Sequence, residues 1–140
     1  MRSTEGENEE GFLMRLSAEV YGLSQENSVE HCANICTVND KFSAEIYTDG
    51  TPLQCGVATN SCSSSNESPV GKAIHAHVKR FKITRELRKM YPSVWNSSQR
   101  RGTADVHNFS RNDEDFVKGG TGLYLATPDG YKYLSSTTKE

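Results

Sequence analysis

Hydrophobic positions near the start of the chain recur with helical spacing. Over residues 11–23 the apolar residues are the adjacent pair Phe12 and Leu13, followed at intervals of three or four positions by Leu16, Val20 and Leu23. Side chains at this spacing share one face of an α-helix, so the pattern predicts an amphipathic helix that buries one stripe. Gly22 and the polar residues 24–28 are expected to end it. The preceding residues 1–10 are acidic and polar, and we expect them to be disordered.

Short apolar segments typical of β-strands follow this helix. Residues 29–38 carry apolar side chains on both faces, as a central strand does. Strands are also predicted for residues 42–47, for residues 53–58 after the Asp49-Gly50 turn, and for residues 70–78. The region therefore supplies most of one sheet.

Residues 79–108 interrupt this pattern and are interpreted as an insertion. Residues 79–91 are basic and favour a helix, which Pro92 would stop. Residues 96–105 are predicted to be a mobile loop. The insertion is either a lid or recognition element over a site, or a solvated connection with no further role.

The last third of the chain has clear start and stop signals. Ser110 is a good helix N-cap, and Asp113 stands where a capping box places its acidic partner. A helix is predicted from Ser110 to the glycine pair at 119–120. Residues 123–134 alternate around a Pro-Asp-Gly turn and predict a β-hairpin.

These elements together predict one α+β domain over residues 11–140. Helices would flank a mixed, mostly antiparallel sheet. A length of 140 residues suits a single domain, and the apolar fraction of 34% predicts a thin core with sizeable loops.

Charge and hydropathy exclude several classes of partner. A net charge near -2 gives no electrostatic reason to expect binding to nucleic acid or to an acidic membrane. No stretch approaches the roughly twenty apolar residues that span a bilayer. The acidic first residues do not resemble a secretory signal. If the protein leaves its cell, we expect it to use another route or to belong to a longer chain.

The four cysteines do not form a zinc knuckle, because no two of them are separated by two residues. Cys32 and Cys36 are too far apart along a strand to bond each other. Without a secretory signal we favour free or buried thiols over disulfides. The alternative is a bond from Cys55 or Cys62 to one of the first two.

Two histidines and a carboxylate form a candidate metal site. His75 and His77 are two positions apart in a predicted strand, where alternate side chains share a face. Asp113, at the start of the later helix, would complete three ligands. Three protein ligands with a fourth position left to water are typical of catalytic zinc. Glu30, early in a preceding strand, is the expected base, with Glu45 as its rival.

These residues fall in segments that resemble a known family. The segments are residues 29–36 (VEHCANIC), 75–77 (HAH), 109–113 (FSRND) and 124–130 (YLATPDG). In this order they resemble the motif of the JAMM (JAB) metalloproteases and isopeptidases. The closer resemblance is to the JAMM-like domains at the C-termini of bacterial polymorphic toxins, and it spans roughly residues 12–134. Val78 follows the second histidine where JAMM enzymes commonly have proline, and Cys32-Ala33 replaces a glycine pair.

The resemblance implies a fold, a reaction and partners. It implies the three-layer architecture of JAMM and cytidine-deaminase-like domains. His75, His77 and Asp113 would bind Zn²⁺, Glu30 would act as general base and then acid, and Ser110 would hydrogen-bond the water or oxyanion. The function would be cleavage of a peptide, isopeptide or related amide bond by a bacterial toxin or effector. The expected partners are a protein or peptide-like substrate and a cognate immunity protein.

Two other functions remain open from the sequence. In a papain-like cysteine amidase, Cys32 or Cys55 would be the nucleophile and His75 or His77 its base. A non-catalytic interaction module could also use the same fold.

Overall fold

The computed structural model describes residues 1–56 and 61–136 of the chain. In chain order its elements are α1 (Glu9–Asn27), β1 (Cys32–Val38), β2 (Lys41–Ala44), β3 (Ser68–His75), β4 (Arg80–Lys82), α2 (Arg85–Met90), β5 (Arg101–Thr103), α3 (Arg111–Val117), β6 (Gly122–Thr127) and β7 (Gly130–Leu134). Five strands form one sheet in the order β2-β1-β3-β6-β7, and β4 pairs with β5 in a second sheet. Only β3 and β6 run parallel among these paired strands. The predicted α+β class with a mixed, mostly antiparallel sheet is confirmed.

The first helix covers one face of the five-stranded sheet. Asn8 caps α1 by accepting a hydrogen bond from the Gly11 amide, and Ser28 ends it in a left-handed conformation with φ 56°. The helix is longer than predicted. Gly22 and Ser24, which were expected to end it, both lie inside it, and Ser24 is buried. The main core lies between α1 and the sheet; its buried members are Phe12, Leu13, Leu16, Val20, Ala33, Ile35, Ala44, Ile74, Ala76, Tyr124 and Ala126.

The helix α3 lies on the opposite face. Its Val117 packs against Ala73 of β3 and Leu123 of β6 in a separate buried cluster. Ile74, the next residue in β3, belongs to the α1 side instead. Because strand side chains alternate, His75 is directed to the α3 side together with Ala73. The sheet with a helix on each face is consistent with the expected three-layer arrangement.

The structure corrects the prediction that residues 1–10 are disordered. The amino group of Met1 donates to the Ala44 carbonyl at 2.6 Å, and Arg2 forms an antiparallel bridge with Ser43. The Ser3 amide donates to the Phe42 carbonyl at 2.8 Å. These residues therefore pair with the outer edge of β2. An acidic composition does not reveal this, because the attraction comes from unpaired backbone groups of an edge strand.

The strand predicted for residues 53–58 is also corrected. Residues 53–56 contain no strand, and residues 57 and 58 lie outside the described part of the chain. A disulfide from Cys55 to Cys32 of β1 holds this segment. Its apolar residue Leu53 packs against the small cluster formed by the insertion.

The insertion at 79–108 is folded differently from the prediction. In place of one long helix, β4 comes first and Thr84 then caps the short α2. The region predicted to be a mobile loop contains β5, which pairs with β4. Gly102 lies opposite Phe81, and a Cβ atom at that position would overlap the Phe81 ring. A buried cluster holds the insertion together; its members are Val78, Phe81, Ile83 and Leu87, with Tyr91 and Trp95 partly buried against them.

The cysteines are paired, so the preference for free thiols is wrong. Cys32 bonds Cys55 and Cys36 bonds Cys62, which accounts for all four cysteines of the chain. In each bond a buried residue of β1 is joined to a partly exposed residue of the following connection. The pairing depends on distances between segments that spacing along the chain cannot give. Within the described residues, no helix is long and apolar enough to cross a membrane.

Candidate metal centre

The two histidines lie at the end of β3, on the side covered by α3. His75 is the last residue of the strand, and His77 lies just beyond it. Both side chains are buried, and their ring centroids are 5.0 Å apart. The prediction that both residues stand in one strand is therefore corrected at His77, although the two imidazoles meet as expected.

Asp113 reaches this pair from the first turn of α3. Its Oδ1 lies 2.9 Å from Nε2 of His75, and its Oδ2 lies 2.9 Å from Nε2 of His77. The predicted capping box is present: the Asp113 amide donates to Ser110 Oγ, and the Ser110 amide donates to Asp113 Oδ2 at 2.9 Å. The box thus orients the carboxylate as well as starting the helix. We call these three residues, His75, His77 and Asp113, the triad.

Backbone carbonyls fix both imidazoles from behind. Nδ1 of His77 lies 2.7 Å from the Asp105 carbonyl oxygen, and Nδ1 of His75 lies 3.3 Å from that of Tyr124. A nitrogen facing a carbonyl must carry the proton, so in each neutral ring Nε2 holds the lone pair. Metal-binding histidines are commonly oriented in this way. The two free nitrogens are turned toward Asp113.

The triad fits a metal ion. Its three ligand atoms lie within 4.8 Å of one another. Nε2 of His75 is buried without a hydrogen-bond partner, although Asp113 Oδ1 is only 2.9 Å away. Ligand atoms around a tetrahedral ion with bonds near 2.0 Å are separated by roughly 3.3 Å. Two imidazoles and a carboxylate could therefore hold a divalent cation, and this donor set suits several transition metals.

Charges within the triad support this interpretation. Burial opposes ionisation of Asp113, but the two imidazoles and the Ser110 amide outweigh it and hold the pKa of this carboxyl well below its usual range. Burial likewise opposes protonation of His77, and the Asp113 carboxylate outweighs it and raises the pKa of this imidazole. Asp113 is thus an anion at neutral pH, as a metal ligand must be.

Glu30 is buried beside the triad, just before β1. Burial raises its pKa to about 7, with a further upward contribution from Asp113 and opposing contributions from the two histidines. Its backbone is fixed on both sides: the Glu30 amide donates to the Thr51 carbonyl at 2.8 Å, and Thr48 Oγ1 donates to the Glu30 carbonyl at 2.6 Å. A carboxyl with a pKa near neutrality can both accept and donate a proton. Glu45, its rival from the sequence, is not among the residues that line the triad cavity defined next.

A cavity of about 420 Å³ contains the triad, and we call it the triad cavity. Glu30 and Ser110 line it as well, so all five candidate residues meet at one place. The remaining lining residues are mostly apolar or uncharged; they are Cys32, Leu53, Gln54, Cys55, Ala73, Ile74, Tyr91, Asn112, Phe116 and Leu123. A second cavity of about 230 Å³ continues past His77 and Glu30 toward Asp105 and Asn108.

Residues 53–55 and Tyr91 add a wall to this cavity that the sequence pattern did not predict. Tyr91 donates a hydrogen bond from its hydroxyl to Gln54 Oε1 at 3.2 Å, which joins the insertion to the 53–55 segment. The even number of cysteines was compatible with disulfides, but it could not show which segments they join.

The cysteine-nucleophile alternative loses its candidates. Cys32 and Cys55 are bonded to each other, so neither sulfur is a thiolate. A nucleophilic cysteine must be a thiolate. The candidate residues that remain in the cavity are the triad, Glu30 and Ser110.

No protein-family model, curated protein or solved structure matches this chain. The relation to known proteins remains the resemblance of the His-x-His and Asp motif, which the geometry of the triad supports at the level of a metal-binding cluster.

Proposed function

We propose that this protein is a zinc-dependent hydrolase that cleaves a peptide, isopeptide or related amide bond. One observation carries the proposal: a buried triad of metal-ligand type shares its cavity with a buried carboxyl whose pKa is about 7. Strongly perturbed groups in a cleft are typical of catalytic sites. Zinc held by the triad would polarise the amide carbonyl and acidify a bound water.

Glu30 is the proposed general base and acid. It takes a proton from the attacking water, whose oxygen bonds to the carbonyl carbon, and delivers that proton to the leaving nitrogen as the C–N bond breaks. Burial in the cavity wall suits both steps, because it keeps the pKa of this carboxyl close to neutrality.

Ser110 is proposed to stabilise the oxyanion. Its Oγ accepts the Asp113 amide proton at 3.2 Å, which leaves the hydroxyl proton available to the cavity that Ser110 lines. A single donor of this kind contributes about 2.7–4 kcal/mol in well-studied hydrolases. The same serine also caps α3, so the proposal must separate catalysis from folding.

The substrate is proposed to be a polypeptide segment that is neutral next to the cleaved bond. Apart from the triad, Glu30 and Tyr91, the cavity has no ionisable lining groups among the described residues. The motif resemblance favours a toxin or effector role with an immunity protein as partner. Two disulfides suit a protein that matures in an oxidising compartment.

Zinc analysis and turnover by matched variants test the proposal. Purified protein should bind one zinc ion per chain, and it should release a new amine terminus from members of a peptide and isopeptide library. Glu30→Gln should keep the zinc and lose turnover, whereas Glu45→Gln should keep both. Turnover retained by Glu30→Gln, or absence of zinc binding by the native chain, would overturn the proposal.

A further inference from the structure

One of the two disulfides lies in the wall of the triad cavity. Cys32, the first residue of β1, stands directly opposite His75 across the β1–β3 ladder. Directly opposed residues of neighbouring strands project to the same face, so the Cys32 sulfur and the His75 imidazole share one side of the sheet. Cys55, bonded to Cys32, lines the same cavity.

This disulfide closes the segment that fixes Glu30. Residues 48–56 contain no helix or strand, and they touch Glu30 through Thr48 and Thr51 as described above. Turn hydrogen bonds, such as that from the Gln54 amide to Thr51 Oγ1 at 3.2 Å, shape the segment. The covalent bond at Cys55 fastens its far end to the strand that Glu30 precedes.

We propose that the Cys32–Cys55 disulfide is a positioning element for Glu30, and that Glu30 is held beside the triad only while this bond is oxidised. The inference rests on the proposed hydrolase function. A dithiol reductant would transfer two electrons to the bond, become a disulfide itself and leave two cysteine thiols. Cys55 is the partly exposed partner of this bond, and Cys32 is the buried one.

Reduction should affect Glu30 and the triad differently. The triad stands at the end of β3, just beyond it, and in the first turn of α3, and the hydrogen bonds and ion pairs described above for it do not involve residues 48–56. Glu30 takes its backbone contacts from that segment, and Leu53 and Gln54 supply the adjoining wall. The metal ligands should therefore stay in place while the base loses its position.

The second disulfide provides a matched control. Cys36–Cys62 also joins a buried residue of β1 to a partly exposed residue, with a sequence separation of 26 against 23. It lines a different cavity, together with Asn34, Ser43 and Ser61, that contains neither Glu30 nor a triad residue. Comparison of the two bonds therefore separates the general effect of losing a disulfide from the specific effect of losing Cys32–Cys55.

The experiment compares the double variants Cys32→Ser/Cys55→Ser and Cys36→Ser/Cys62→Ser in full-length protein. Zinc affinity should change by less than about threefold in both. Turnover should fall roughly 10- to 100-fold in the first variant only, as expected for a misplaced catalytic group. Hydrogen exchange at the Glu30 amide should also accelerate in the first variant only. Equal exchange rates and equal turnover in the two variants would overturn the inference.

Reversible reduction of the Cys32–Cys55 bond tests the inference even if the Cys32→Ser/Cys55→Ser variant fails to fold. Cys36→Ser/Cys62→Ser protein, which keeps only Cys32–Cys55, is treated with dithiothreitol in excess zinc and then reoxidised. We expect fast exchange at Glu30 on reduction and recovery on oxidation, with turnover following it. Unchanged exchange after complete reduction would refute the inference. The exchange measurement does not depend on turnover, so a failed hydrolase proposal (no zinc, no cleavage) is recognised separately.

Discussion

Nε2 of His75 lies 2.9 Å from Oδ1 of Asp113, and with the ring proton on Nδ1 the lone pairs of these two atoms face each other. Nε2 of the neighbouring His77 lies 2.9 Å from Oδ2 of the same carboxylate, and this contact is a hydrogen bond only when the His77 ring carries a proton on both nitrogens. A buried ring nitrogen without a partner is costly in a folded protein unless something else binds it. A cation shared by the three side chains would remove that cost.

Metal binding should stabilise the native chain and depend on the triad. We expect an excess of zinc to raise the melting temperature, by an amount that grows with the logarithm of the free zinc concentration, because a ligand of the native state stabilises it. His75→Ala and Asp113→Asn should each abolish this rise. His107→Ala is the control: its imidazole is exposed and outside the triad. Differential scanning calorimetry with zinc analysis makes the measurement. A zinc response retained by His75→Ala would contradict it.

Glu30 should make the metal-free protein less stable as pH rises. The folded-state pKa of about 7 exceeds the ordinary value of 4.5, so the folded state holds this proton more tightly than the unfolded state. The resulting stabilisation is full below about pH 4.5 and is lost as pH rises through 7. Between about pH 4 and pH 8, the native chain should therefore lose on the order of 3 kcal/mol relative to Glu30→Gln.

Urea denaturation of both metal-free proteins across this pH range measures the difference. Glu19→Gln provides a control, because Glu19 is an exposed carboxyl on α1. A constant gap between the native chain and Glu30→Gln would mean that the pKa of Glu30 is the same in the folded and unfolded states, which would contradict the raised folded-state pKa.

Ser110→Ala should separate capping from catalysis. Loss of an N-cap side chain costs about 1 kcal/mol. Thr84→Ala removes the equivalent cap of α2, where Thr84 accepts the Leu87 amide proton. Chemical denaturation should show similar losses for both variants. Only Ser110→Ala should lower kcat, by roughly 100-fold or more if the hydroxyl stabilises an oxyanion. Equal kcat values for Ser110→Ala and Thr84→Ala would mean that Ser110 only caps α3.

Two glycine substitutions should change stability in opposite directions. Gly102→Ala places a Cβ against the Phe81 ring and should cost about 1–3 kcal/mol through overpacking. Gly22→Ala meets no atom within 4 Å and lies inside α1, so it should stabilise the protein by about 0.5–1 kcal/mol. Thermal unfolding of the two variants checks both signs. A neutral Gly102→Ala would show that β4 and β5 can separate without loss of the core.

The capping box illustrates what a short stretch of sequence determines. Ser110 and Asp113 are three residues apart, and their mutual hydrogen bonds need only the local geometry of a helix start. The α1 stripe and the β6–β7 hairpin were predicted for the same reason, since each depends on periodicity or on a turn of a few residues. Helix ends were less well predicted, because Gly22 was tolerated in a helix that the sheet packs against.

The sequence by itself determined the α+β class, the start of α3 and the set of side chains suited to bind a metal, because spacing and residue chemistry suffice for these. Only the tertiary structure decided which cysteines pair, that residues 1–3 extend the sheet edge, and that β4 and β5 fold together. It also placed α3 beside His75, through the parallel pairing of β3 with β6. These outcomes depend on contacts between segments that are distant in the chain. The free energy of such contacts comes from burial and backbone pairing, which a local sequence pattern does not contain.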